Sequence, residues 1–407
     1  MTINSRPQSN YRKLTLNGEA AFCALLAVIW AYYTVGSYAV QLLRRLPVIG
    51  TAYQSFLPLC VVFLLFCSLQ YILKKLRPVD LLFYLAMAFI VLVTMLLPEN
   101  SSHIEPYVGQ ILFFTVPLYF VGVALPFEES KKVLYWASLA GVLTTFGYQM
   151  YMLSQGMVLL SDSMSTAYKA LPSVMYLLYW AFMQRRVRDW LVGMMGIILI
   201  LLCGTRGPIV VILCFVLAEM MIRLFMAPLS WRRLPGLCLL LFVAVLLSND
   251  AVFQSLMEFL MEKFGQMGFS TRIFEYVLRG EFSVSNSRDS MATDVLAAIG
   301  NNPVFGYGFM GDRIVLNGNY AHNLALELWC QFGIFVGSFI LIGVVAVPIA
   351  AMWKNRKSQR LHLLLMLSCV VFVKLMLSGS YVNEKYFFLL LGLAMGQLRS
   401  ARAGEGE

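Results

Sequence analysis

The sequence predicts an all-α polytopic integral membrane protein of about twelve transmembrane helices, and three observations lead there. The chain is 60% hydrophobic and only 13% charged, with a mean hydropathy of +0.74; soluble globular chains are about 45–50% apolar and about 25% charged. Apolar runs long enough to cross about 30 Å of hydrocarbon recur along its length. The basic residues, which leave a formal net charge of +10, collect in alternate connecting segments. A soluble enzyme, a disordered chain and a nucleic-acid-binding domain are excluded, and 1–407 reads as a single multi-pass domain.

The apolar runs fall at 20–40, 56–73, 80–98, 107–125, 133–153, 168–183, 190–205, 207–225, 235–248, 323–351, 361–378 and 385–398. The polar stretch 1–18, with Arg6, Arg12 and Lys13, is unlike a cleavable signal peptide, so the first run stays as a span. Placing the N-terminus inside puts twenty of the 31 lysines and arginines on one face, in clusters such as Lys74, Lys75 and Arg77 or Lys354, Arg356, Lys357 and Arg360. Positive charge accumulates on cytoplasmic loops, so both termini are expected there. The eight cysteines all lie in apolar runs and read as small core residues. No internal repeat or low-complexity tract is present.

One connection stands apart. Residues 249–320 form a long polar insertion between the ninth and tenth runs, on the external face, and long loops in compact proteins usually carry function. It holds two amphipathic stretches, 252–264 and 271–278; Leu256, Phe259, Leu260 and Phe264 recur at helical spacing. Asn301-Asn302-Pro303 and Gly306-Tyr307-Gly308 then punctuate a turn.

Three residues at this face have the chemistry of an anion or acceptor site. Arg206, in GTRGP at the external end of the seventh run, is costly at a membrane edge unless oxygens satisfy it, and its planar fork suits phosphate. The alternative is an arginine that snorkels from a tight hairpin. Arg288, in NSRDS, opens a predicted helix with Asn286 or Ser287 as cap. It adds to the positive end of the helix dipole, which is sensible where an anion is awaited. The alternative is a surface pair with Asp289 or Asp294. His322, one of three histidines, sits where the long loop re-enters the membrane; a neutral imidazole suits a general base. His103 and His362 lie elsewhere, in a short external loop and on the basic face.

Two further charges fall inside apolar runs and are functional candidates on that ground. Lys374 lies near the external end of its run, within snorkelling reach, as a supporting residue. Glu327, five residues after His322, points well away from it on a helix and is expected to balance an arginine. No metal-ligand spacing and no phosphate-cradling glycine loop occurs. The first external loop, QLLRRLPVIGTAYQS, has no carboxylate; its Arg44 and Arg45 are candidates for lipid or glycan phosphate, or for simple solvation.

In order along the chain stand Thr205-Arg206-Gly207, Ser287-Arg288, Asn302-Pro303-Val304-Phe305-Gly306-Tyr307-Gly308, and His322-Asn323 through Glu327 to Gly333-Ile334. This ordered set resembles the O-antigen ligase and polymerase family of bacterial envelope glycan assembly. It covers about residues 200–345, with Thr205 where serine is frequent and Ala325 where a bulkier residue is usual. The resemblance implies a metal-independent membrane glycosyltransferase with no cofactor, whose donor is an oligosaccharide on undecaprenyl diphosphate. Arg206 and Arg288 would bind the diphosphate, His322 would orient or deprotonate the acceptor hydroxyl, and Asn323, Glu327 and Lys374 would support them. The expected location is the bacterial inner membrane with the site facing the periplasm. Membrane lipids surround it, a chain-length regulator is a candidate partner, and no nucleic acid is expected. A polymerase is preferred. The alternatives are a ligase transferring polymer to lipid A–core, and a transporter or flippase of a lipid-linked anion, which would call for paired mid-membrane charges and two similar halves.

Overall fold

The computed structural model describes residues 18–36, 38, 47–155, 163–225, 250–268, 271, 274–275, 278 and 286–400. Every regular element among them is helical. In chain order these are α1 (Gly18–Ala31), α2 (Pro47–Lys75), α3 (Pro78–Met95), α4 (Pro98–Ala124), α5 (Phe127–Ser154), α6 (Ser163–Gln184) and α7 (Val187–Leu202). They continue with α8 (Arg206–Phe225), α9 (Asp250–Gln266), α10 (Asn286–Asn301), α11 (Asp312–Val315), α12 (Leu324–Lys354), α13 (Gln359–Leu377) and α14 (Lys385–Ser400). Five of these, α3, α4, α8, α12 and α13, are long and apolar enough to cross a membrane. The expected ninth span (235–248), Arg44 and Arg45, and both charged termini lie outside the described residues, while 47–55 of the expected first external loop are helical, the start of α2.

Proline marks three of the starts. Pro47, Pro78 and Pro98 each open a helix, where a missing N–H costs nothing and the fixed φ is already helical. At α3 the backbone N–H of Arg77 donates to Asp80 Oδ2 at 2.8 Å, closing the first turn. The segment 99–106, expected as an external loop, is instead helical. Pro98 starts α4 there, and Asn100 is buried because it donates to two carbonyls of the long loop.

The helix ends rich in basic residues are bonded to one another, which places them on one face. Arg399 Nη2 and the Tyr119 hydroxyl both donate to Asp80 Oδ1 at 2.7 Å. Lys131 Nζ reaches Gln359 Oε1, and Arg360 Nη1 reaches Gln397 Oε1, each at 2.8 Å. On the same face Glu219, fully buried, accepts from Arg223 Nε at 2.6 Å and shares a 2.7 Å hydrogen bond with His362 Nδ1.

Packing between α4 and α14 is governed by glycine. A Cβ on Gly392 would stand 1.9 Å from the Tyr119 carbonyl oxygen, and one on Gly122 2.3 Å from that of Leu389. In a membrane, where apolar surface has no reason to leave lipid, such close backbone approach supplies the van der Waals contact that holds helices together. Beside this crossing Trp30 sits edge-on to Tyr176 and Tyr386, and its Nε1–H donates to Ser138 Oγ at 2.9 Å.

Of the predicted amphipathic stretches, 252–264 falls within α9. Phe264 packs edge-on against the buried Phe274 at 5.0 Å, whereas Phe259 is exposed. Much of 271–278 lies outside the described residues, as does the side chain of Leu256.

Candidate active site at the broken helix

The return of the long loop to the membrane is built on one helix that is interrupted. In α12, Gly333 stands at φ 74°, ψ 169° and divides the element. Carbonyls freed by such a break cannot be left bare at membrane depth. The loop 302–311 fills the gap. Tyr307 N–H donates to Cys330 O and Gly308 N–H to Gln331 O, both at 2.8 Å, while Ile334 N–H donates to Pro303 O at 2.7 Å. The turn itself is held by Asn302 Nδ2 on the Gly306 carbonyl at 2.6 Å and by the Tyr307 hydroxyl on Ala298 O at 3.1 Å. Gly306 and Gly308 adopt positive φ, and a Cβ on Gly306 would meet Gly333 N at 2.6 Å. The two glycine motifs of the sequence are therefore the two halves of one joint.

Beneath the joint lies a buried ionic network. Arg313 is 1% exposed. Its Nη1 lies 3.2 Å from Asp312 Oδ1 and 3.7 Å from Glu327 Oε1, and its Nη2 donates to Ser380 Oγ at 2.9 Å. The Ser380 hydroxyl donates in turn to Glu327, which also accepts from Tyr381 N–H at 3.3 Å. Gln331 Nε2 donates to Asp312 Oδ1 at 2.8 Å, and the Tyr381 hydroxyl to Gln331 Oε1 at 2.6 Å. Tyr107 and Tyr320 rings flank the guanidinium at 5.7 and 5.8 Å. Burial pushes the Asp312 carboxyl above its ordinary value, with Arg313 pulling the other way, and raises the Tyr381 phenol well above its own.

His322 rests on this network. It stands at φ 55°, an uncommon conformation for a side chain other than glycine, and the backbone on both sides is braced. Ala321 N–H donates to Asp312 Oδ2 at 3.2 Å. Asn323 caps α12, its Oδ1 accepting from Ala325 N–H at 3.0 Å and Leu326 N–H at 3.2 Å. The imidazole lies 4.2 Å from the Tyr320 ring, centroid to centroid, and is only partly covered. His322 therefore projects at the positive end of the first half of α12.

The other predicted residues gather nearby to different degrees. Glu327 balances an arginine, as expected, and that arginine is Arg313. Lys374 forms an ion pair with Glu384 and stands 5.4 Å from the centre of the Tyr168 ring. Arg206 is half-buried at the first residue of α8. Its neighbour Gly207 lies so close to Tyr168 that a Cβ would meet the phenol oxygen at 1.9 Å. Tyr168 thus links the Arg206 end of α8 to Lys374 and, through Glu384, to the 378–384 segment that carries Ser380 and Tyr381. Arg288 belongs to the first turn of α10; its side chain lies outside the described residues. The side chains of Asn286 and Ser287, the expected caps, also lie outside the described residues. The helix α10 is joined to α12 by a small separate core of Val295, Ile299, Leu316, Ala321 and Cys330.

Sequence reasoning missed Asp312, Arg313, Gln331, Ser380, Tyr381 and Glu384. The one available signal was an unpaired carboxylate in an apolar run, Glu327, which demands a cation without saying which. Among the described residues no group of three or more His, Cys, Asp or Glu side chains is placed to hold a metal ion.

The arrangement of a basic helix start, a loop docked into a broken helix and a histidine at its mouth coincides with one comparison. Residues 191–341 match the family model described as O-antigen ligase. The match supports the O-antigen polymerase and ligase family for this chain. It runs from α7 into the second half of α12 and so contains Arg206, Arg288, the loop joint and His322. Lys374, Ser380, Tyr381 and Glu384 lie beyond it. No curated protein and no solved structure matches the chain. With its long apolar helices, the protein is an integral membrane protein.

Proposed function

We propose that the protein is an inner-membrane glycosyltransferase that joins a glycan carried on undecaprenyl diphosphate to an acceptor hydroxyl at the periplasmic face. The observation that carries this is His322, held at positive φ at the mouth of the broken helix, with a basic helix start on the same side of the bundle. In the reaction the acceptor oxygen bonds to the anomeric carbon while the carbon–oxygen bond to the diphosphate breaks. His322 takes the acceptor proton. Arg206 and Arg288 stabilise the negative charge gathering on the departing diphosphate, the larger contribution where the leaving group is already good. Metal ions and cofactors are not required in this scheme.

The acceptor separates two readings. In a polymerase it is another lipid-linked repeat unit, the reading the sequence favoured; in a ligase it is lipid A–core, a reading that fits the family match equally. Gene deletion distinguishes them: loss of a polymerase leaves single-repeat lipopolysaccharide, whereas loss of a ligase leaves polymer stranded on its carrier.

The chemistry is tested with purified protein and lipid-linked glycan. His322→Ala is expected to lower the turnover rate by about 10²–10⁴-fold with donor binding retained, and an unchanged rate would remove the histidine from the mechanism. Arg206→Ala combined with Arg288→Ala is expected to weaken donor binding; undiminished donor affinity would reject the diphosphate assignment.

A further inference from the structure

On the face opposite His322, a cavity of about 360 Å³ opens where the ends of α6 and α8 meet the turn before α13. We infer that it is a headgroup site for an anionic phospholipid of the adjoining leaflet. Four cationic side chains line it, Arg185, Arg223, Arg356 and Lys357, and none of its lining residues among those described is a carboxylate. Glu219 lies behind the wall, fully buried, and offsets only Arg223 and His362. Arg185, Arg356 and Lys357 remain as a concentrated positive field. Ser358, whose hydroxyl oxygen accepts from Arg360 N–H at 3.2 Å, caps α13 at the cavity wall, so the positive end of that helix adds to the same field.

Two features specify a lipid and not a soluble phosphate. Part of the cavity lining is apolar, supplied by Phe182, Met183 and Ile222, which suits the glycerol and first methylenes beside a phosphodiester. Its rim also adjoins an exposed aromatic side chain of the kind that anchors at headgroup depth. Trp353 is 71% exposed with the Arg356 guanidinium 5.0 Å over its ring, the placement of an interfacial tryptophan. Val187 and Leu191, at the start of the neighbouring α7, present apolar side chains outward. Ordinary loop charges on this face spread into solvent. These line a concave surface between helices, the form that basic headgroup sites take.

The test uses the full-length protein in detergent, with retained lipid counted by native mass spectrometry. Phosphatidylglycerol and phosphatidylcholine of identical acyl chains compete. The protein is expected to retain phosphatidylglycerol selectively, and Arg356→Gln with Lys357→Gln is expected to lower that selectivity by about thirtyfold, the attraction of two basic residues at a charged membrane surface. Both positions are exposed, so folding is unaffected. A control pair at the same face, Lys74→Gln with Lys75→Gln, is expected to leave selectivity unchanged. Equal retention of the two lipids, or an equal loss in the control pair, overturns the proposal. Displacement of phosphatidylglycerol by millimolar inorganic phosphate as readily as by glycerophosphoglycerol also overturns it, since the site would then bind free phosphate.

Discussion

Gly333→Ala is expected to destabilise the protein by about 2–6 kcal/mol, combining backbone strain of about 1–3 kcal/mol with a steric clash that overpacks the joint by about 1–3 kcal/mol. The position has φ 74° and ψ 169°, a region essentially reserved for glycine. A Cβ there would also stand 2.1 Å from the carbonyl oxygen of Val304, an atom of the backbone that cannot rotate away. The loop would have to leave the break, and the three backbone bonds at Tyr307, Gly308 and Ile334 would go with it. Thermal unfolding in nanodiscs should show the loss, and limited proteolysis should cut within 302–311 in the variant first. Gly343 in the second half of the same helix provides the contrast, because a Cβ there meets nothing within 4 Å. Gly343→Ala should be neutral or slightly stabilising, by up to about 1 kcal/mol from helix propensity. Equal stability of Gly333→Ala and wild type would mean that the loop does not occupy the break.

Arg313→Met is the second large effect, at about 3–5 kcal/mol, the usual consequence of leaving the partners of a buried ion pair without their countercharge. Asp312 and Glu327 are both fully buried, so removal of the guanidinium strands two carboxylates together. Arg313→Lys should recover little, since one ammonium cannot span Asp312, Glu327 and Ser380 as the planar fork does. Neutralising the acids as well, with Asp312→Asn and Glu327→Gln added to Arg313→Met, should restore part of the lost stability, as measured by the unfolding midpoint. Additive destabilisation in that triple variant would show that the three side chains do not act as a unit. The network also braces His322 through the Asp312–Ala321 bond, so the triple variant should remain impaired in glycan transfer even where stability returns.

These two sites show why part of the architecture could be read from the chain and part could not. The start of α3 was legible because its apolar run, expected from 80, begins at Pro78, whereas α2 and α4 start at Pro47 and Pro98, ahead of the runs expected from 56 and 107. The partnership of Glu327 was legible only as a need: a carboxylate in an apolar run requires a cation, yet ten basic residues lie off the basic face. Arg313 was chosen among them by the docking of a loop, and its remaining partner, Ser380, is 67 residues away. The expected external loop at 99–106 failed for a related reason. Its polar residues suggested solvent, whereas Asn100 turns inward to hold the carbonyls of Tyr307 and Phe309 more than 200 residues later.

By itself the sequence determined that this chain lives in a membrane, that its apolar segments are helical, and which ends gather positive charge. Hydropathy and charge segregation are sums over neighbouring residues, so they survive without knowledge of the fold. Only the tertiary structure decided that the glycine motif of the long loop and Gly333 form one joint, and that His322 stands on the Asp312–Arg313–Glu327 network. Those pairings depend on backbone groups and charges brought together from distant segments, where the scarcity of water, and not any local preference, forces each polar atom to find its partner.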